Sequence, residues 1–269
     1  MALQPRKRFG QHYLLDRGVI QEIIHAIQPR PEETLVEIGP GLGALTLPLL
    51  RCVPHLSVIE LDRDLVAHWR QHPLAARLTL YEGDALGFDY ARLGERFRLV
   101  GNLPYNISTP LLFHLADFAA HIVDAHFMLQ KEVVQRMVAT PGEPAYGRLS
   151  LMLQLRFHMT LLLEVPPQAF EPPPKVDSAV VRLIPRPLEE RLALFAPCTG
   201  PATGDFLKSR EQALERVVTQ AFSQRRKMLR STLKGLVGED RLRHLDIDPT
   251  RRAETLTLAE FIRLAQTLR

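Results

Sequence analysis

The glycine-rich run Gly39-Pro40-Gly41-Leu42-Gly43-Ala44 limits the fold of this chain more than any other segment. It closes the apolar stretch Thr34-Leu35-Val36-Glu37-Ile38 and leads into a helical pattern. Glycines at a strand-to-helix turn permit unusual φ and let a ligand approach the main chain closely. The spacing fits a dinucleotide fingerprint, with Gly39, Gly41 and Ala44 in its three places. Glu60 follows Gly39 by 21 residues, at the end of the next apolar run, and is placed to bond ribose hydroxyls. These residues call for a nucleoside-type cofactor and leave NAD and S-adenosylmethionine both open.

Around this turn the first 185 residues alternate short apolar runs with helical patterns, the mark of βαβ units around a parallel sheet. Strands are expected at 34–38, 56–60, 78–81, 98–101 and 125–129. Helices are expected at 62–71, 109–119, 131–139 and between Tyr146 and Arg156. Met159–Val165 and Ala179–Ile184 have no helix between them and are expected to close the sheet as an antiparallel pair. The fold class is therefore α/β: a Rossmann-like methyltransferase sheet, parallel with a reversed last strand. Composition changes at Pro185-Arg186-Pro187, which sets a first domain at 1–185 and a second, small and all-helical, at 186–269. In the second, 196–205 reads as an exposed loop, Ser209 and Gln212 as a capping box that starts a helix, and Thr257 as the start of another.

The 269 residues carry a net charge of +4, and the surplus is local. Between Phe206 and Arg252 stand twelve Lys and Arg against six Asp and Glu, densest at Arg225-Arg226-Lys227 with Arg230. A basic helical domain suits a polyanion such as RNA, although a solvated helix face reads the same way. No stretch approaches a membrane span, the basic start does not lead into an apolar signal core, and the chain is expected in the cytoplasm. Cys52 and Cys198 are too few for a disulfide framework, and the ten histidines, His114, His121 and His126 among them, show no metal-ligand spacing, so no metal is expected.

Asn102-Leu103-Pro104-Tyr105 follows the fourth apolar run. An amide, a fixed bend and an aromatic face in succession suit a planar, amino-bearing ring. The exocyclic amine of adenine is a poor nucleophile, because its lone pair is delocalised into the ring. A methylating site must therefore set acceptors against its N–H hydrogens, which the Asn102 amide oxygen and the Leu103 carbonyl can supply. Pro104 fixes φ and Tyr105 offers a stacking face, though an ordinary turn with a half-buried tyrosine is the bland alternative. Gly83-Asp84-Ala85, after the third run, puts a carboxylate where a cofactor's adenine amine could donate. Phe170, at the head of the stiff run Glu171-Pro172-Pro173-Pro174-Lys175, is a candidate second wall opposite Tyr105, or else a core residue.

Taken together these motifs resemble the ribosomal RNA adenine N6,N6-dimethyltransferases, specifically the bacterial small-subunit (KsgA) type. The resemblance adds Lys7–Gln11 with Leu14, Glu60-Leu61-Asp62, Gln130–Val133, Ala145–Ser150, Pro172–Val181 and Ala221–Lys227, and covers nearly the whole chain. It implies transfer of methyl groups from S-adenosyl-L-methionine to N6 of two adjacent adenosines near the 3′ end of small-subunit (16S) rRNA, with a role in subunit maturation. It implies that His12, Leu14, Gly39, Gly41, Glu60, Asp84, Ala85 and Asn102 contact the cofactor. Asn102, Leu103, Pro104, Tyr105 and Phe170 would hold the adenine, flipped from its stack, while Arg225, Arg226, Lys227 and Arg230 grip RNA phosphates. The expected partner is the small ribosomal subunit and its rRNA, with the protein monomeric. One departure stands out: the family's Gln-Asn-Phe-Leu reads Gln11-His12-Tyr13-Leu14 here. Two other readings stay open, a large-subunit rRNA dimethyltransferase and an assembly factor acting mainly by binding.

Overall fold

The computed structural model describes residues 12–195 and 204–268, so Lys7–Gln11, Cys198 and most of the expected loop at 196–205 lie outside the described residues. The chain divides into two compact units. One holds the described residues up to Val134 with His158–Pro185, and the other holds Gln135–Phe157 with the residues from Arg186 onward. Residues 135–157, expected in the first domain, thus group with the second unit.

The first unit is built on a seven-stranded sheet of β2 (Leu35–Ile38), β3 (Leu56–Glu60), β4 (Leu78–Glu82), β5 (Phe97–Asn102), β6 (Ile122–Gln130), β7 (Phe157–Val165) and β9 (Ser178–Pro185). Their order is β4-β3-β2-β5-β6-β9-β7. The five neighbours from β4 to β6 are parallel, as in β2–β3 with Glu37 opposite Val58, whereas β9 runs antiparallel to β6 with Val180 opposite Met128. The expected reversed strand is β9, but it lies between β6 and β7 and leaves β7 at the edge. The patterns agree with these places. β2 is buried at every position, as a strand covered on both faces must be, while β7 alternates, its even-numbered His158, Thr160, Leu162 and Glu164 reaching solvent. A separate two-residue ladder joins β1 (Tyr13–Leu14) to β8 (Phe170–Glu171).

Helices start where short polar side chains satisfy free amides. Asp16 accepts from the Val19 amide at the head of α1 (Arg17–Ile27), and Asp62 from the Asp64 amide at the head of α3 (Arg63–Gln71). α2 (Thr46–Cys52) follows the glycine turn and α4 (Ser108–Asp117) follows Tyr105. Arg98 in β5 is buried, and it is matched. It makes a two-pronged pair with Asp124 at 2.7 and 3.0 Å, bonds Glu33 at 2.7 Å and donates to the Ile27 carbonyl. Nearby His126 is buried, and burial pushes its imidazole down to about 4, so the ring is neutral at physiological pH.

The second unit is helical. α6 (Arg148–Gln154) is apolar over most of its surface and lies against α8 (Gly204–Ala221), with Arg148 paired to Glu215 and Arg156 to Glu211. That burial is why residues 135–157 group with the second unit. α8 begins at Gly204 rather than at the Ser209 cap, so Ser209 sits inside a helix. The expected start at Thr257 holds: its hydroxyl accepts from the Glu260 amide, and Glu260 reaches back to the Thr257 amide, to open α11 (Leu258–Ala265), which stops short of the expected run to the chain's last residues. Among the described residues no helix is long and apolar enough to cross a membrane.

Candidate active site

The carboxyl ends of β2, β3, β4 and β5 open onto one cavity of about 1240 Å³ in the first unit. It takes the turns that follow all four strands, as expected of a parallel sheet. The glycine turn forms its floor. Gly39 has φ +70°, and a Cβ there would point into open space. Gly43 has φ +93°, and a Cβ there would come within 2.8 Å of the Trp69 ring. Trp69, buried on α3, donates its indole N–H to the Gly41 carbonyl at 3.0 Å and latches the turn from behind.

Two carboxylates sit low in this cavity. Glu60 ends β3, is 7% exposed, and receives the backbone amides of Asp62, Leu61 and Gly41. Glu37 is the penultimate residue of β2, is 1% exposed, and accepts from the Thr46 hydroxyl at 2.6 Å. Burial pushes Glu37 up to about 8, with the Glu60 charge adding to the shift, and burial also raises Glu60. Two desolvated carboxyl groups make the cavity receptive to a cationic, hydroxyl-bearing ligand. Sequence reasoning placed Glu37 and Thr46 at the two ends of the glycine-turn motif but gave neither side chain a role. The available signal was an acidic residue inside an otherwise apolar strand. Asp84 lines the cavity from the loop after β4, with one carboxylate oxygen held by the Leu86 amide at 2.9 Å, and Ala85 is buried beside it.

The fourth wall is Asn102–Tyr105. Leu103 is buried, and its amide donates to the Met128 carbonyl, which pins the loop to β6. The Ile107 amide closes a turn onto the Pro104 carbonyl, and Ser108 holds the Tyr105 carbonyl, so α4 starts directly behind the ring. The Tyr105 hydroxyl bonds Ser178 Oγ at 2.8 Å. The Asn102 side-chain amide donates to the His12 carbonyl at 3.2 Å, which leaves its oxygen for another donor. His12 and Leu14 also line the cavity.

Phe170, expected as the wall opposite Tyr105, is not among the residues that line the cavity. It is 4% exposed and packs in the apolar cluster with Leu14, Ile23 and Ile27. In the β1–β8 ladder Phe170 pairs with Leu14 and joins it in the apolar cluster, while Glu171 beside it is exposed: burying the apolar ring and leaving the charge in water takes Phe170 into the core. Arg225, Arg226, Lys227 and Arg230 lie in the second unit, all exposed. Arg225 is tied down, bonding the Pro144 carbonyl and pairing with Glu254. Of the singled-out histidines, His114 meets the Phe88 carbonyl at 2.9 Å and His126 is a core residue.

Residues 2–194 match the family model described as ribosomal RNA adenine dimethylase. The chain is 54% identical over 263 residues to a ribosomal RNA small subunit methyltransferase A from Dechloromonas aromatica, covering 98% of this chain and 97% of the relative. It is 56% identical over 257 residues to the protein of that name from Thiobacillus denitrificans, covering 96% and 95%. Among solved structures it is similar to a dimethyladenosine transferase from Plasmodium falciparum, with a TM-score of 0.76 and 28% identity over 94% of this chain and 96% of that one. The fold is shared with the 23S rRNA methyltransferase ErmE, at a TM-score of 0.70 and 24% identity over 95% and 99%. With the family model covering well over half of its length, this chain belongs to the ribosomal RNA adenine dimethylase family.

Proposed function

We propose that this protein transfers methyl groups from S-adenosyl-L-methionine to N6 of two adjacent adenosines in the 3′-terminal hairpin loop of small-subunit rRNA, giving N6,N6-dimethyladenosine during subunit maturation. The observation that carries the reading is that the glycine turn, Glu60 and the Asn102–Tyr105 loop open onto one cavity. The cavity is large enough for a nucleoside cofactor and a flipped base together. Its residues fit the cofactor: Gly39 and Gly41 give a bare main-chain surface, Glu60 and Asp84 offer carboxylates to hydroxyls and an amine, and Glu37 adds acidic character for a cation. When bound, S-adenosylmethionine supplies an electrophilic methyl group on a sulfonium.

The protein's own part is orientation. The Asn102 oxygen and the Leu103 carbonyl accept the two amine hydrogens, which turns the nitrogen lone pair out of conjugation and toward the donor. Tyr105, anchored by Ser178, holds the ring flat, and close placement of two reactants removes much of the barrier. Exposed Arg226, Lys227 and Arg230 would meet phosphates. We take the protein to work in the cytoplasm as a monomer, with the small ribosomal subunit as its partner.

The test uses purified protein, cofactor and small subunits from cells lacking the modification, with nucleoside mass spectrometry. About two N6,N6-dimethyladenosines per subunit are expected, lost in Tyr105→Ala. Methylation of large-subunit rRNA instead would overturn the substrate, and binding without methylation would favour an assembly role.

A further inference from the structure

Tyr105 is held at its far end. Its hydroxyl bonds Ser178 Oγ at 2.8 Å, and Ser178 is fully buried at the first position of β9. Ser178 pairs with Gln130, the last residue of β6, and the Lys131 amide donates to the Asp177 carbonyl one position earlier. The Leu103 amide is fixed to the same stretch of β6 through the Met128 carbonyl. One strand end thus sets both the Leu103 loop and the plane of the aromatic ring. A buried hydroxyl calls for a partner, and a bond at the tip of the phenol has the longest lever against tilting of that ring.

We propose that Ser178 is a positioning residue for the second methyl transfer, which it serves by fixing the Tyr105 ring against N6-monomethyladenine. The inference rests on the methyl-transfer reading and deepens it by separating the two transfers to one base. In the first, the amine presents both hydrogens, and the Asn102 oxygen and the Leu103 carbonyl fix the base between them. In the second, a methyl group has replaced one hydrogen, so one acceptor has nothing to bond and one anchor of the base is gone. Stacking on Tyr105 then carries a larger share of the orientation, and a ring free to tilt costs more. The amine nitrogen forms its new bond to the sulfonium methyl as the C–S bond breaks toward sulfur, and its remaining proton leaves to water. A base that tilts loses the in-line approach which that bond requires.

The experiment compares the full-length wild type with Ser178→Ala, Tyr105→Phe and the double variant. Each is given S-adenosylmethionine and unmodified small subunits. Nucleoside mass spectrometry follows N6-methyladenosine and N6,N6-dimethyladenosine in time, and thermal unfolding checks that each variant is folded. Ser178→Ala is expected to slow the second transfer about fivefold, the worth of a neutral hydrogen bond. The first transfer should slow by less than about twofold, so that N6-methyladenosine accumulates. Tyr105→Phe deletes the same bond while leaving Ser178 in place, so it should reproduce that accumulation, and it carries the test if Ser178→Ala does not fold. The double variant should be no slower than either single one, because both remove one interaction. Equal slowing of both transfers, wild-type kinetics in Tyr105→Phe, or losses that add in the double variant would overturn the positioning role alone. A wild type that forms no dimethyladenosine would overturn the underlying reading instead.

Discussion

Glu37 carries the clearest titration in the cavity. Its carboxyl is lifted from about 4.5 to about 8 by burial. A carboxyl raised on folding stabilises the fold below its unfolded pKa, and that contribution drains away as pH rises through the folded value. The cofactor-free protein should therefore lose stability as pH rises from about 4.5 to about 8, and Glu37→Gln should flatten that decline in thermal unfolding. A cation bound nearby favours the ionised carboxyl, so cofactor binding should expel a proton. Affinity should then rise with pH up to about 8, with calorimetric heats that depend on the buffer, and Glu37→Gln should weaken both effects. A wild-type affinity that is flat across this range would show that Glu37 does not sense the bound cation.

At the scale of elements, the glycine turn is held in shape by α3, which also brings Leu65 to the cavity wall. Trp69 reaches from α3 to the Gly41 carbonyl and fills the space beside Gly43. Trp69→Phe keeps most of the ring and deletes the donor. A neutral hydrogen bond contributes about 1 kcal/mol net, so cofactor Kd should rise about fivefold while kcat at saturation changes little. Trp69 is the only tryptophan in the chain, so its emission should report cofactor binding directly. An unchanged Kd in Trp69→Phe would mean that the positive-φ glycines hold the turn unaided.

For the whole molecule, the four basic residues of the second unit separate into two kinds. Arg225 is engaged with Pro144 and Glu254, so removing it should lower thermal stability. Arg226 and Lys227 are exposed. If they meet phosphates, Arg226→Ala with Lys227→Ala should weaken subunit binding and reduce the salt slope of log K by about 2. Cofactor affinity should be untouched. A salt slope identical to wild type would remove them from the RNA-facing surface.

Sequence by itself determined the parallel run of strands, the glycine turn, the placement of Glu60, Asp84 and Asn102–Tyr105 on strand ends, and the family. Each depends on local periodicity or on residues adjacent in the chain. Partners distant in sequence depend on register and burial. Phe170, an expected cavity wall, packs instead in the apolar cluster with Leu14, and His12, bonded to Pro172 and Asn102, meets Tyr105. The same holds for Trp69 behind Gly41, for the buried charge of Arg98 matched by Glu33 and Asp124, and for residues 135–157 joining the second unit. Those pairings are decided by which surfaces the folded chain must bury together, and a linear pattern does not record them.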